Sequence, residues 1–246
     1  MHYVISDIHG CYEEYKKLLE LIEFSDEDVL YVLGDAVDRG PEPVKVLLDM
    51  MMRPNVIPIL GNHEYMALET LKQLNVEITE ENAEKHLNYC MMRGYMNWME
   101  NGGGTTASAF RKLDSDTKDA VLEYLEEFSA YEVVEAGNEI YVLVHAGIDG
   151  FKPGRPLEDY DFSDFVFYPP DYSQRYFKEG VTVVVGHTPV MSFYEDERCE
   201  VFEKNGIVCI AQTDYAGLTV YWQYFCSGVA IGVGYTFGVS LQYYCK

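Results

Sequence analysis

Basic side chains are scarce in this chain: 18 lysines and arginines face 41 aspartates and glutamates, a formal net charge of -23 over 246 residues. A field of that sign repels a phosphate backbone and anionic headgroups alike, so neither nucleic acid nor a membrane is expected as a partner. Cysteine is thin and unpatterned. The six, at 11, 90, 199, 209, 226 and 245, contain no CxxC pair, which argues against a zinc knuckle or a short-range disulfide frame and fits the reduced thiols of a cytoplasmic protein. A leader is not expected either, because Met1 runs straight into the strand-like Tyr3 to Ser6 with no basic region or long apolar segment, and export is not expected. Long hydrophobic runs are absent with one apparent exception: residues 215 to 245 carry no charged side chain and are long enough to span a bilayer. Their period excludes a helix. From Val229 to Tyr243 every odd position is apolar, and Gly232, Gly234 and Gly238 fall between them, which is strand spacing.

Ordinary globular usage remains, with 48% hydrophobic and 24% charged residues, and the length suits one α/β domain over 1–246. Five short apolar runs read as buried strands: Tyr3 to Ile5, Val29 to Leu33, Val56 to Leu60, Ile140 to Val144 and Val181 to Val185. Between the first two, Tyr12, Tyr15, Leu18, Leu19 and Ile22 recur at helical spacing, and after the second Pro41 opens another helix with Val44, Leu47, Leu48 and Met51. The chain therefore begins β-α-β-α-β. Residues 65–130 read as an inserted helical cap, interrupted by a loop at Asn101-Gly102-Gly103-Gly104. From Val181 onward short strands and an Asn205-Gly206 turn predict a second, partly antiparallel sheet. The Met50-Met51-Met52 and Met91-Met92 groups read as core filler.

A polar cluster follows each of the five runs: Asp7-Ile8-His9-Gly10, Gly34-Asp35-Ala36-Val37-Asp38-Arg39-Gly40, Gly61-Asn62-His63-Glu64, His145-Ala146-Gly147 and Gly186-His187-Thr188-Pro189. Singly, each is explained by a helix cap or a hydrogen-bonded core histidine. Jointly they point elsewhere, because the carboxyl ends of parallel strands converge on one edge and residues distant in sequence meet there. Four of the six histidines fall at these ends beside three aspartates and an asparagine. A mixed oxygen and nitrogen set without thiolate suits manganese, iron or zinc better than calcium or a structural zinc finger.

The five clusters in this order resemble the calcineurin-like metallophosphatase superfamily, and the Gly34 to Gly40 and Gly61 to Glu64 segments resemble its serine/threonine phosphoprotein phosphatase and symmetrical dinucleoside tetraphosphatase branch. The resemblance implies a two-sheet metallophosphatase sandwich flanked by helices. It implies two divalent cations, manganese first and iron or zinc otherwise, one held by Asp7, His9 and Asp35, the other by Asp35, Asn62, His145 and His187. Asp38 and His63 would be the catalytic pair and Arg39 the phosphate-binding arginine. Two such cations roughly 3.5 to 4 Å apart acidify a water and clamp the oxygens of an in-line displacement at phosphorus. Asp35 suits bridging because a carboxylate offers two oxygens, His63 can protonate the departing oxygen, and the Arg39 fork matches two phosphate oxygens. Glu64 is expected to orient His63 or its loop, or simply to start a helix.

The chain departs from the family in two places. Where relatives carry a Trp-x-Arg segment with a second phosphate clamp, it reads Phe165-Val166-Phe167-Tyr168-Pro169-Pro170, leaving Arg155 and Arg175 as weak substitutes. After Ile210 it reads Ala211-Gln212-Thr213-Asp214-Tyr215, and the atypical tail over 211–246 follows. That break raises the hypothesis of a reading-frame change in the coding DNA, which an unbroken frame in close relatives would sink. If native, the tail is expected to add one or two strands to the second sheet. The function expected first is hydrolysis of phosphomonoesters, phosphoserine or phosphothreonine in proteins. The alternatives are symmetrical dinucleoside tetraphosphate hydrolysis and, from another class, a catalytically weak protein that binds a phospho-ligand.

Overall fold

The computed structural model of the protein describes residues 1–76, 79–82, 88–196 and 200–211, and the backbone of 219–225, 229–233 and 235–242. Strand β1 (His2–Ile5) leads to helix α1 (Tyr12–Leu21), β2 (Val29–Leu33), α2 (Pro43–Met51) and β3 (Val56–Ile59), the expected β-α-β-α-β opening. The apolar stripe of α1 buries Tyr15, Leu18 and Leu19. Helix α2 begins two residues later than expected, with Pro43 rather than Pro41 in its first turn, where a missing N–H leaves no helical bond unmade. Helices α3 (Asn62–Leu74), α4 (Tyr89–Glu100), α5 (Gly104–Phe110) and α6 (Ser115–Glu126) follow. Next come β4 (Tyr131–Ala136), β5 (Glu139–Val144), α7 (Phe162–Val166), β6 (Val181–Val185), β7 (Phe202–Lys204) and β8 (Ile207–Cys209). The tail contributes β9 (Thr219–Phe225), β10 (Val229–Val233) and β11 (Tyr235–Gln242).

Two sheets result, a six-stranded one ordered β11-β9-β10-β1-β2-β3 and a five-stranded one ordered β4-β5-β6-β8-β7. The five strands read from sequence divide three and two between them, parallel within each set. Strand alternation builds the layers. Val4, Leu33 and Ile59 of the first sheet pack against Tyr141, Leu143, Val184 and Val208 of the second, while Tyr3, Ile5, Leu30 and Val32 turn the other way and join a core with Tyr15, Leu18, Leu47 and Met50 of α1 and α2.

Three expectations need correction. The tail strands join the first sheet, not the second: β10 pairs in parallel with β1, giving that short strand a neighbour on both sides. Strand β4, unread from sequence, pairs antiparallel with β5. The methionines are not all filler, since Met50 is buried whereas Met52 and Met92 are exposed. The break at Gln212 to Tyr215 lies outside the described residues. Among the described residues no helix is long and apolar enough to cross a membrane.

Candidate metal centre

The loops after β1 and β2 remain paired beyond the strands themselves. Asp7 N–H donates to Gly34 O (3.1 Å), His9 N–H to Asp35 O (2.8 Å) and Gly10 N–H to Ala36 O (2.8 Å). Two bonds tie the second sheet to the same edge: His145 Nδ1–H to Leu33 O (2.6 Å) and His187 N–H to Asp7 Oδ2 (3.2 Å). The loops after β2 and β3 touch at Gly34 and Gly61, where a side chain on either residue would collide with the other loop. Of the eight described non-glycine residues with positive φ, six are Asp7, His9, Asp35, Asp38, Arg39 and His187. Left-handed backbone costs an L-residue about 1–2 kcal/mol, so the strain gathers on the residues the sequence singled out. Glu64 explains how part of it is held: its carboxylate accepts the N–H groups of Asp35 (2.7 Å), Val37 (3.0 Å) and Gly61 (3.1 Å).

Asp35 lies between two sets of imidazoles. Its Oδ2 is 3.7 Å from His9 Nε2 and 3.8 Å from His63 Nε2, and its Oδ1 is 3.5 Å from His145 Nε2. Asn62 Oδ1 stands 2.9 Å from His145 Nε2 and 3.0 Å from His187 Nδ1. Two groups able to hold an ion emerge among the described residues, His9 with Asp35 and His63, and Asp35 with His145 and His187. Asp7 joins neither, its Oδ2 accepting instead from Ser6 Oγ and the His187 N–H.

The proton positions follow from the partners. His145 gives its Nδ1 proton to the Leu33 carbonyl, so Nε2 presents a lone pair to the oxygens of Asn62 and Asp35, with no hydrogen of its own to place between them. Burial pushes the His145 imidazole down to about 3, and burial followed by His145 pushes His187 down to about 4, leaving both neutral. Burial, then Asp7 and Glu64, holds Asp35 well above the usual carboxylate range, and Glu64 is raised to about 7, chiefly by burial. Neutral imidazoles offer lone pairs, and crowded carboxylates negative charge, to divalent cations, and the donor set fits them.

His63 is fully buried with Nδ1 2.8 Å from Asp38 Oδ2. The Arg39 fork donates to His9 Nε2 (3.0 Å) and His63 Nε2 (3.1 Å), folded onto the rings beside it. Arg155 and Arg175 lie elsewhere, Arg155 over the Tyr160 ring and Arg175 on the carbonyl of Val181, at the opposite end of β6 from His187. Sequence reading missed two residues that reach Asp38 from the helical stretch, Trp98 and Thr106. Their only sequence cue was the glycine-rich break lying between them.

The profile of the calcineurin-like phosphoesterases matches residues 3–212, most of the chain, and stops where the sequence departs from the family pattern. The chain belongs to the calcineurin-like phosphoesterase family. Its curated relatives include a symmetrical bis(5'-nucleosyl)-tetraphosphatase of Wigglesworthia glossinidia brevipalpis, 36% identical over 40% of this chain and 37% of that one. A serine/threonine-protein phosphatase 2 of Salmonella typhimurium is 30% identical over 63% of each chain. The match spans well under half the length of the first curated relatives. A crystal structure assigned provisionally to a diadenosine tetraphosphatase shares the phosphoesterase fold, with a TM-score of 0.58, 21% identity, and coverage of 96% of this chain and 93% of that one.

Proposed function

We propose that this protein is a phosphoesterase that uses two divalent cations, manganese first, and that its leading substrate is a symmetrical dinucleoside tetraphosphate. Phosphoserine and phosphothreonine esters come second. That reverses the order expected from sequence, because the tetraphosphatases recur among the relatives while one phosphatase match offsets its lower identity with greater span. The observation that carries the reading is Asp35, buried, with one carboxylate oxygen toward each imidazole set.

Asp35, Asn62, His145 and His187 would hold one cation, and Asp35, His9 and Asp7 the other. When bound, the pair supplies Lewis-acid activation of water and neutralises charge on the phosphate. The chain's own groups supply the rest. Because Asp38 takes the Nδ1–H of His63, Nε2 is the ring atom left to act: once Arg39 no longer donates to it, it takes a proton from solvent and hands that proton to the departing oxygen. Arg39, now donating to His9 and His63, leaves those rings and presents its fork to two phosphate oxygens. The Leu33 carbonyl fixes the His145 tautomer, keeping Nε2 available as a ligand.

The test compares purified protein, loaded with manganese, on diadenosine tetraphosphate and on a phosphopeptide. Faster hydrolysis of the dinucleotide to two diphosphates is expected, and preference for the phosphopeptide restores the protein phosphatase reading. If metal binds and neither substrate turns over above a His63→Ala control, the weak binding protein is the correct description.

A further inference from the structure

The helical stretch between α3 and α6 supplies groups that this reaction scheme has not used. Trp98, fully buried, donates its indole Nε1–H to Asp38 Oδ2 at 2.7 Å. Thr106, also fully buried, donates its hydroxyl to Asp38 Oδ1 at 2.6 Å and accepts the Asp38 N–H at 2.9 Å. Gly102 O accepts the N–H of Arg39 at 3.0 Å. These residues straddle one turn. Helix α4 ends at Glu100, Gly102 takes a φ of +100, and α5 begins at Gly104. Gly103 lies so close to the Trp98 indole that a methyl group there would sit 2.5 Å from its ring carbons, so indole and turn form one packed unit.

A single bond from His63 Nδ1 to Asp38 Oδ2 would leave the carboxylate free to rotate about its own axis and the ring free to follow. Trp98 shares Oδ2 with His63 and Thr106 takes Oδ1, so both ends of the carboxylate are fixed and its plane with them. The Thr106 bond to the Asp38 N–H also supports a backbone held at a φ of +68. Helix α4 packs on α3, which carries His63, and α5 packs on α2, so the clamp is anchored in the layers that carry the site. We infer that Trp98 and Thr106 are positioning residues, holding the Asp38 carboxylate in the plane that aims His63 at the departing oxygen. The helical stretch is on this view a working part of the proton-delivering machinery and not a lid over it. The inference rests on the phosphoesterase reading and adds to it.

Leaving groups separate aim from general damage, because an activated leaving group needs little acid assistance and a poor one depends on it. The full chain loaded with manganese is assayed on 4-nitrophenyl phosphate and phenyl phosphate, with bound metal measured alongside. Trp98→Phe and Thr106→Val are expected to lose about tenfold more kcat on phenyl phosphate than on 4-nitrophenyl phosphate, part of the roughly 10²–10⁴ that a positioned acid provides. KM and metal content stay unchanged, and Thr106→Ser, which keeps the hydroxyl, restores the ratio. Phe110→Leu, which loosens α5 without touching Asp38, leaves the ratio at the wild-type value. Equal losses on both esters, or loss of metal, overturn the inference. A second measurement does not depend on variants or turnover. In the unloaded wild-type chain the Trp98 indole N–H resonance is expected downfield and slow to exchange, and a resonance at the free-indole position overturns the inference. Wild-type protein that binds manganese and cleaves neither ester nor diadenosine tetraphosphate refutes the phosphoesterase reading instead, and the inference falls with it.

Discussion

His9, His145 and His187 reach the centre as neutral rings because burial disfavours their charged forms, while the same burial favours protonated carboxyls at Asp7 and Asp35. The two effects make opposite predictions for cation uptake. A raised carboxyl in the unloaded protein keeps a proton that the cation must displace, whereas the lowered imidazoles have none to give up. Adding manganese to unloaded protein in weak buffer near pH 6 is therefore expected to acidify the solution, and the release should shrink as pH rises and those carboxyls ionise beforehand. An indicator dye reads it, and proton uptake or silence contradicts the assignment. The described cysteines offer a second check. Burial pushes the Cys209 thiol up to about 12, whereas Cys90 is exposed. Alkylation of native protein near pH 7.5, a value set by ordinary thiol reactivity, should label Cys90 and spare Cys209, as peptide mass mapping would show. At this scale the candidate ligand residue types were legible in sequence, because each sits just past an apolar run. The turn of Asp7 toward Ser6 and His187, and of Arg39 onto His9 and His63, was not, since side-chain direction depends on neighbours from other loops.

The site loops after β1, β2 and β6 carry left-handed residues, and Glu64 is the brace that ties the loop after β2 to the loop after β3. Three buried N–H groups converge on its carboxylate. Removing it strands donors whose loss costs about 1–3 kcal/mol each, so Glu64→Ala should lower unfolding free energy by about 3 kcal/mol or more. Glu64→Gln, which keeps one acceptor oxygen, should lose less. Urea denaturation of the unloaded chain measures both, and an unchanged midpoint for Glu64→Ala would remove the bracing role. Sequence reading offered orientation of a loop or a plain helix start for this residue. Its partners belong to the preceding loop as well as its own, which helical spacing does not report. The opening β-α-β-α-β pattern was legible because apolar period and turn residues agree there. β4 was not, for only Val134 and Ala136 of its six residues are buried and its strand character comes from pairing with β5.

Across the whole molecule, the site lies where the ends of two sheets meet, and the first sheet is completed by strands far along the chain. β1 has β2 on one side and β10 on the other. Ending the chain after Ala211 would strip β1 of a partner and leave a short apolar edge open to other molecules. The truncated protein is expected to aggregate at concentrations where the full chain stays monodisperse in light scattering. Equal behaviour would mean that the tail contributes nothing to holding that edge. Manganese should stabilise the full chain, by about 2.7 kcal/mol at a hundredfold excess over its dissociation constant, and a chelator should reverse the gain in a thermal melt.

The succession of the five apolar strands along the chain and the polar residues just past their ends were determined by the sequence alone, because apolar period and residue chemistry are local properties. The tertiary structure decided which strands share a sheet, that the tail lies beside β1, and that Asp35 turns one oxygen toward each imidazole set. It also brought Trp98 and Thr106 onto Asp38, 60 and 68 residues away in the chain. Those outcomes depend on packing between distant segments, and a buried hydrogen bond selects its partner by position in space.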